Sequence, residues 1–239
     1  MKYLFSITIA LFTLVTFGQQ MGTNEWEEQS KTNIRLLPKY GYREKTDHQK
    51  ELDKKFINET MKQEKFKGDR KAASNHLIEL GFSYLYRGDS KTAMYRFNQA
   101  YLLDTTNTEI YWGYAGFFMK IMNYAEAAKK YKEGLSLDRS NTHLLTDYGT
   151  YFMAQYYGLI PIDEKGALSN LDSAIYYIRK SYSFDNTDMN TTYKLSICYL
   201  LKGECNNAWK FFDECKELGG QPIRDEYTKD LKKKCKKKK

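Results

Sequence analysis

Small and large apolar residues recur in this chain with a period of 34 residues, and this periodicity constrains the fold more than any other feature. Within each copy the spacing is helical, with a small residue set between large ones. One helix pair cannot bury its apolar face alone, so at least three copies must stack. The recurring positions are Leu77, Gly81, Tyr84, Ala93, Phe97 and Ala100; then Tyr111, Ala115, Phe118, Ala127, Tyr131 and Gly134; then Leu145, Gly149, Phe152, Ala174, Ile178 and Ser181; then Leu195, Ser196, Tyr199, Ala208, Phe212 and Cys215.

This pattern resembles the tetratricopeptide repeat (TPR), a pair of antiparallel helices that stacks into a right-handed all-α solenoid. The resemblance covers residues 74–218 and implies about four repeats. No copy has the usual closing proline, but an aspartate precedes that slot in three copies and is expected to initiate the turn. The repeats are placed at 74–107, 108–141, 142–188 and 189–218, and the three aspartates are Asp104, Asp138 and Asp185.

The third copy is longer than the others, with an insertion near residues 158–173. Pro161 is expected to fix a turn, and the apolar spacing after it predicts a second helix that begins about two turns early. Insertions in solenoids often lie on a binding face. A variable loop without a role is the alternative.

Residues 1–18 have the pattern of a secretory signal peptide, with one basic residue, an apolar run and small residues near Gly18. A transmembrane anchor is the alternative, but the apolar run is shorter than the roughly 20 residues that span a bilayer. We therefore expect an exported protein, periplasmic or secreted, cleaved near Gly18.

Export would place the cysteines in an oxidising compartment, where an even number suggests disulfides. All four lie near the C-terminus, and their spacings match no zinc site. Antiparallel pairing about the turn at residues 219–221 favours a Cys205–Cys235 bond. Cys198–Cys205 together with Cys215–Cys235 is the alternative pairing, and four free thiols are a third possibility.

The segments that flank the repeats are charged. Residues 19–73 are interpreted as an extended arm followed by a capping helix over residues 45–65, with partial disorder before Asn33. Residues 219–231 are assigned to a C-terminal capping helix, and the helix itself is expected over Asp225–Cys235, after the turn at Gly219-Gly220. The net charge is +8, and seven lysines lie in the lysine-rich tail at 232–239. This tail could bind anionic polymers or membranes, or could be a solubilising end.

The resemblance to the TPR family also implies a concave groove, lined by the first helix of each repeat. Such a groove would be apolar and aromatic with few charges, and would suit an amphipathic helix or an extended peptide of another protein. Alternatively, the arm or the long third-repeat helix fills it. The residues expected to line it are Ile78, Phe82, Tyr86, Trp112, Met119, Met153, Tyr193 and Ile197.

The remaining motifs favour a binding protein over an enzyme. Arg87-Gly88-Asp89 spells an adhesion tripeptide, but it lies at the helix–helix turn of the first repeat, where Gly88 and Asp89 have structural uses. No catalytic triad, phosphate loop, dinucleotide motif or metal-binding spacing is present. We expect no catalysis, no cofactor, no metal and no sequence-specific nucleic acid, because the positive charge is concentrated in the tail.

Overall fold

The structure, a computed structural model, describes residues 21–236, and every regular element in that range is helical. The predicted signal peptide and the last three residues of the predicted tail lie outside the described residues. The helices are α1 (Thr23–Thr32), α2 (Asp47–Met61), α3 (Arg70–Tyr86), α4 (Ser90–Leu103), α5 (Glu109–Lys120), α6 (Tyr124–Leu137), α7 (Thr142–Leu159), α8 (Glu164–Phe184), α9 (Met189–Leu201), α10 (Cys205–Glu217) and α11 (Asp225–Lys234), with short 3-10 segments at Ile34–Leu36, Pro38–Tyr42 and Glu64–Phe66.

Helices α3 to α10 form four pairs that follow one another along the chain. The extensive contacts are within the pairs α3–α4, α5–α6, α7–α8 and α9–α10, and each pair also packs on the next. The expectation of an all-α solenoid of helix–turn–helix repeats is thus confirmed.

The turns between the pairs repeat one hydrogen-bonding geometry. In each, an aspartate Oδ1 accepts from the backbone amide and the hydroxyl of the residue two positions later, which closes a tight turn without proline. The amide distances are 2.9 Å for Asp104–Thr106, 3.0 Å for Asp138–Ser140 and 2.8 Å for Asp185–Thr187. The aspartates therefore have the role that the sequence predicts for them.

The small residues of the repeat allow close packing around large rings. Phe97 is fully buried between Gly81 of its own repeat and Gly113 of the next. A Cβ atom would lie 2.4 Å from a Phe97 ring carbon at Gly81 and 2.5 Å at Gly113. Any larger residue at either position would force the helices apart.

The third pair is longer than the others. α8 has 21 residues, whereas α4 and α6 have 14 each, so α8 begins two turns early relative to the repeat. α7 extends to Leu159, so most of the insertion is helical. The short connection presents Ile160 and Ile162 to solvent beside Pro161.

The N-terminal arm, residues 21–43, is more ordered than the sequence predicts. Residues 23–32 form α1, where an extended and partly disordered segment is expected. No side chain caps this helix at Gly22, so its stability depends on tertiary packing. The Trp26 ring meets Phe118 edge-on at 5.0 Å, and the Thr23 hydroxyl donates to the Ile121 carbonyl at 2.8 Å.

The C-terminal helix has nearly its predicted limits. α11 runs from Asp225 to Lys234 and includes Lys232–Lys234, the first lysines of the tail, as its last turn. Cations at a helix C-terminus interact favourably with the helix dipole. A Cys205–Cys235 disulfide joins the end of α11 to α10, and the Trp209 indole donates to the Cys235 carbonyl at 2.9 Å. Cys198 and Cys215 are free and buried.

Candidate functional site

Three rings from successive repeats stack across the face of the solenoid that the sequence assigns to the groove. The Phe82 and Trp112 ring centroids are 4.0 Å apart, and those of Trp112 and His143 are 4.4 Å apart with nearly parallel planes. Tyr86 follows Phe82 by one helical turn, at 6.2 Å. We call these four residues, which α3, α5 and α7 contribute, the aromatic ladder.

A carboxylate fixes the central ring of the ladder. The Trp112 indole Nε1 donates to Asp147 Oδ2 at 2.6 Å, and the Lys194 ammonium contacts Asp147 Oδ1 at 3.1 Å. Both charged side chains are largely buried, so the interaction is only partly screened by solvent. The groove thus contains a charged pair at its centre, in addition to the expected apolar and aromatic residues.

A second polar pair positions the histidine of the ladder. His143 Nδ1 lies 2.8 Å from Glu109 Oε2, and this carboxylate raises the pKa of His143 against the opposing effect of burial. The Asn141 amide donates to the other Glu109 oxygen at 2.7 Å. In its protonated form the imidazole would stack a positive charge on the electron-rich face of Trp112.

Three of the predicted groove residues are buried. Ile78 is 2% exposed and belongs to the core, whereas Phe82 and Met153 each keep an exposed fraction of 8%. Tyr193 is half-buried, and its ring meets Tyr227 of α11 edge-on at 5.2 Å. The C-terminal helix therefore covers Tyr193 at the fourth-repeat end.

The first-repeat end of the groove is open. Tyr86 is 79% exposed, and together with Phe82 and Trp112 it lines a shallow hollow completed by Ser83, Glu79 and Arg87. Phe82 itself is nearly buried and forms the floor of the hollow. The other predicted residues, Trp112, Met119 and Ile197, are half-buried.

The arm does not cover the aromatic ladder. On α5, Trp112 lies roughly opposite Tyr114 and Phe118, because residues two and six positions apart on an α-helix point to different sides. The described part of the arm packs on the Tyr114 and Phe118 side. Within residues 21–236, the alternative that the arm fills the groove is therefore wrong.

The sequence places Glu109 and His143 at the same groove position of successive repeats, 34 residues apart. It does not indicate that these two side chains pair, or that Asp147 and Lys194 bind each other beside Trp112. No group of three or more His, Cys, Asp or Glu side chains that could hold a metal ion occurs in the part of the chain that the structure describes. None of its helices is long and apolar enough to cross a membrane.

Comparison with solved structures supports the same fold. TTC0263, a thermophilic TPR protein of Thermus thermophilus, superposes with a TM-score of 0.56 at 15% identity, over 67% of this chain and 80% of that one. MamA matches at 18% identity over 81% of this chain and 94% of its own, with a TM-score of 0.45. No protein-family model and no curated protein matches the sequence.

The chain thus has the tetratricopeptide-repeat fold. Identity to these structures is low, so the likeness concerns the fold alone.

Proposed function

We propose that the chain is a non-catalytic adaptor that binds a segment of another protein at the aromatic ladder. The observation that carries this proposal is the exposed Tyr86 beside the half-buried Trp112, in a hollow that the arm leaves uncovered. Exposed aromatic residues next to a preformed hollow are typical of protein-binding surfaces.

The chemistry of the hollow favours a ligand with an apolar anchor and polar flanks. Tyr86 and Trp112 offer ring faces, while Glu79 and Arg87 stand at the rim. Asp147 holds the Trp112 indole in one orientation, so little side-chain freedom is lost on binding. An amphipathic helix or an extended peptide meets these requirements.

Photo-cross-linking from position 86 tests this proposal in the native host. A photoreactive phenylalanine analogue replaces Tyr86 in the full chain, and cross-linked partners are identified by mass spectrometry. The same analogue at Phe184, an aromatic residue that is also exposed but lies at the end of α8, is the matched control. We expect a discrete partner from position 86 and none from position 184. Equal patterns at the two positions would reject the ladder as the site.

We also infer that the protein is exported. The signal-peptide pattern of residues 1–18 supports this, and so does the Cys205–Cys235 disulfide, because such bonds persist in oxidising compartments. Fractionation of the host checks it: a processed form outside the cytoplasm is expected, and an unprocessed cytoplasmic form would contradict it.

A second candidate function is binding to anionic surfaces through the C-terminal lysines. Lys232–Lys234 are all exposed on the last turn of α11, which the disulfide ties to α10. Substituting these three lysines by Gln keeps Cys235 in place. Sedimentation with phosphatidylglycerol vesicles should fall in this variant and with added salt. Unchanged sedimentation would exclude this function.

A further inference from the structure

The arm shows what the face opposite the aromatic ladder can bind. Asn98 of α4 is fully buried and contacts the backbone of the arm at three points. Its amide nitrogen donates to the Arg35 and Leu37 carbonyls at 2.8 and 2.9 Å, and its Oδ1 accepts from the Lys39 amide at 2.8 Å. The Tyr114 hydroxyl donates to the same Oδ1 at 2.8 Å. We call this surface of α4 and α5 the arm-binding face.

Helix α1 adds an aromatic anchor and a negative charge to this interaction. The Trp26 ring packs against Phe118, and Phe118 is fully buried. Glu25, the residue before it, approaches Lys91 of α4 at 3.6 Å. The arm-binding face therefore accepts an acidic helix whose tryptophan lies on a phenylalanine.

The next repeat has a counterpart to this face, 34 residues further on. Phe152 stands in the place of Phe118, and Lys132 in the place of Asn98. Phe152 is half-buried where Phe118 is fully buried, and Lys132 is exposed where Asn98 is fully buried. In the described part of the chain, the rings that meet Phe152 come from α7 and α8, whereas a residue of the arm meets Phe118.

The counterpart surface has an aromatic floor and a basic rim. Tyr177 of α8 stacks on Phe152 with ring centroids 5.5 Å apart, and Tyr148 lies 4.8 Å from the same ring. Lys129 of α6, which replaces Tyr95, is mostly exposed, and its 3.7 Å contact with Glu126 lies within its own helix. We call this surface of α6, α7 and α8 the tyrosine face.

We propose that the tyrosine face is a second docking surface, which binds an acidic amphipathic helix of another protein. An aromatic side chain of that helix lies on Phe152 and Tyr177, as Trp26 lies on Phe118. Its carboxylates lie near Lys129 and Lys132, which replace the uncharged Tyr95 and Asn98 of the arm-binding face. Charge complementarity selects an acidic partner, and Trp26 of α1 shows that a helix can place an aromatic ring on the first face.

A fluorescein-labelled peptide of residues 22–33, which carries Trp26 and three glutamates, is the probe. Fluorescence anisotropy with the full chain should show saturable binding that weakens with salt. Lys129→Glu with Lys132→Glu should weaken binding about tenfold or more, because two rim charges are reversed. Lys54→Glu with Lys55→Glu, on the exposed side of α2, is the matched control and should leave binding unchanged.

Further variants distinguish the proposed ligand of the tyrosine face from other possible ligands and from binding elsewhere. Binding that is insensitive to the reversal of Lys129 and Lys132 but is lost with Lys91→Glu would place the peptide on the arm-binding face and overturn the proposal. Absence of saturable binding would also overturn it. Self-association of the full chain that disappears on the same double reversal, seen by analytical ultracentrifugation, would assign the tyrosine face to a second copy instead. A peptide with Trp26→Ala should fail to bind if an aromatic anchor is required.

Discussion

The two sides of α5 differ in what covers them. On one side, Tyr114 and Phe118 lie beneath the arm, which the Asn98 amide holds by its backbone. On the other, Trp112 belongs to a ladder of rings that is fixed by side-chain carboxylates and ends at the exposed Tyr86. A buried amide thus holds a segment of the chain on one side of α5, whereas on the other side the arm leaves the ring that Asp147 holds uncovered.

Asn98→Leu should disturb the covered side most. It leaves the two arm carbonyls without a donor and the Tyr114 hydroxyl without its acceptor, while the Lys39 amide keeps its 3.0 Å hydrogen bond to the Tyr114 oxygen. Buried groups cost about 1–3 kcal/mol each when unpaired. Release of the arm would let water bind its polar groups and would limit the total destabilisation. We therefore expect the free energy of unfolding, measured by urea denaturation, to fall by about 3 kcal/mol.

Asn98→Asp is a second variant at the same position. Its carboxylate still accepts from Lys39 and Tyr114, but the buried charge faces the two arm carbonyls, so at neutral pH we expect a loss at least as large as that of Asn98→Leu. A wild-type stability for Asn98→Leu would show that the arm is not held in this way.

Trp26→Ala should have the next largest effect. It removes the edge-on contact with Phe118 and the indole hydrogen bond to the Leu36 carbonyl at 2.8 Å. Loss of about 2 kcal/mol is expected, because the side chain is only partly buried. Hydrogen exchange should accelerate in residues 23–32. Unchanged hydrogen exchange in residues 23–32 would show that α1 does not depend on its contact with Phe118.

Tyr86→Ala should barely affect stability, in contrast to Trp26→Ala. Its side chain is mostly solvated, so the expected change is within about 0.5 kcal/mol. Thermal denaturation measures it, and affinity capture of the partner by the Tyr86→Ala chain should be lost. A large destabilisation would show that Tyr86 is a packing residue, which would remove the main argument for an open groove.

The smallest expected effect is the pH dependence of stability that His143 contributes. The hydrogen bond to Glu109 raises its pKa in the folded state, so the protonated form adds stability at acidic pH. This contribution is lost as the pH rises through the folded-state pKa. An NMR titration of the imidazole should give a pKa above the usual histidine value, and Glu109→Gln should lower it. An unshifted wild-type titration would contradict this account.

The repeat pattern predicted the solenoid well because the same contacts recur every 34 residues. Gly81 against Phe97 and Asp104 at its turn are local or nearest-neighbour requirements, which periodicity shows directly. The preferred disulfide also follows from antiparallel helices of known length. These features need no knowledge of distant contacts.

The arm and the groove were harder to predict because they depend on contacts that occur once. Asn98 has Lys132 as its counterpart, so no recurring pattern marks it as the residue that holds the arm. α1 lacks a capping side chain, and its stability depends on the contact between Trp26 and Phe118, which is more than 90 positions away in the sequence. Ile78 was assigned to the groove by its repeat position, yet it is buried in the core.

Hydroxyl-radical footprinting of the full chain, read by mass spectrometry at single tyrosines, tests the contrast between the two sides most directly. Tyr86 reports the open groove, whereas Tyr111, which hydrogen-bonds to Lys39, and Tyr114 report the covered side. The account predicts that Tyr86 is oxidised readily while Tyr111 and Tyr114 resist oxidation. Oxidation of Tyr111 and Tyr114 as fast as Tyr86 would contradict the docked arm, and protection of Tyr86 in the isolated chain would contradict the open groove.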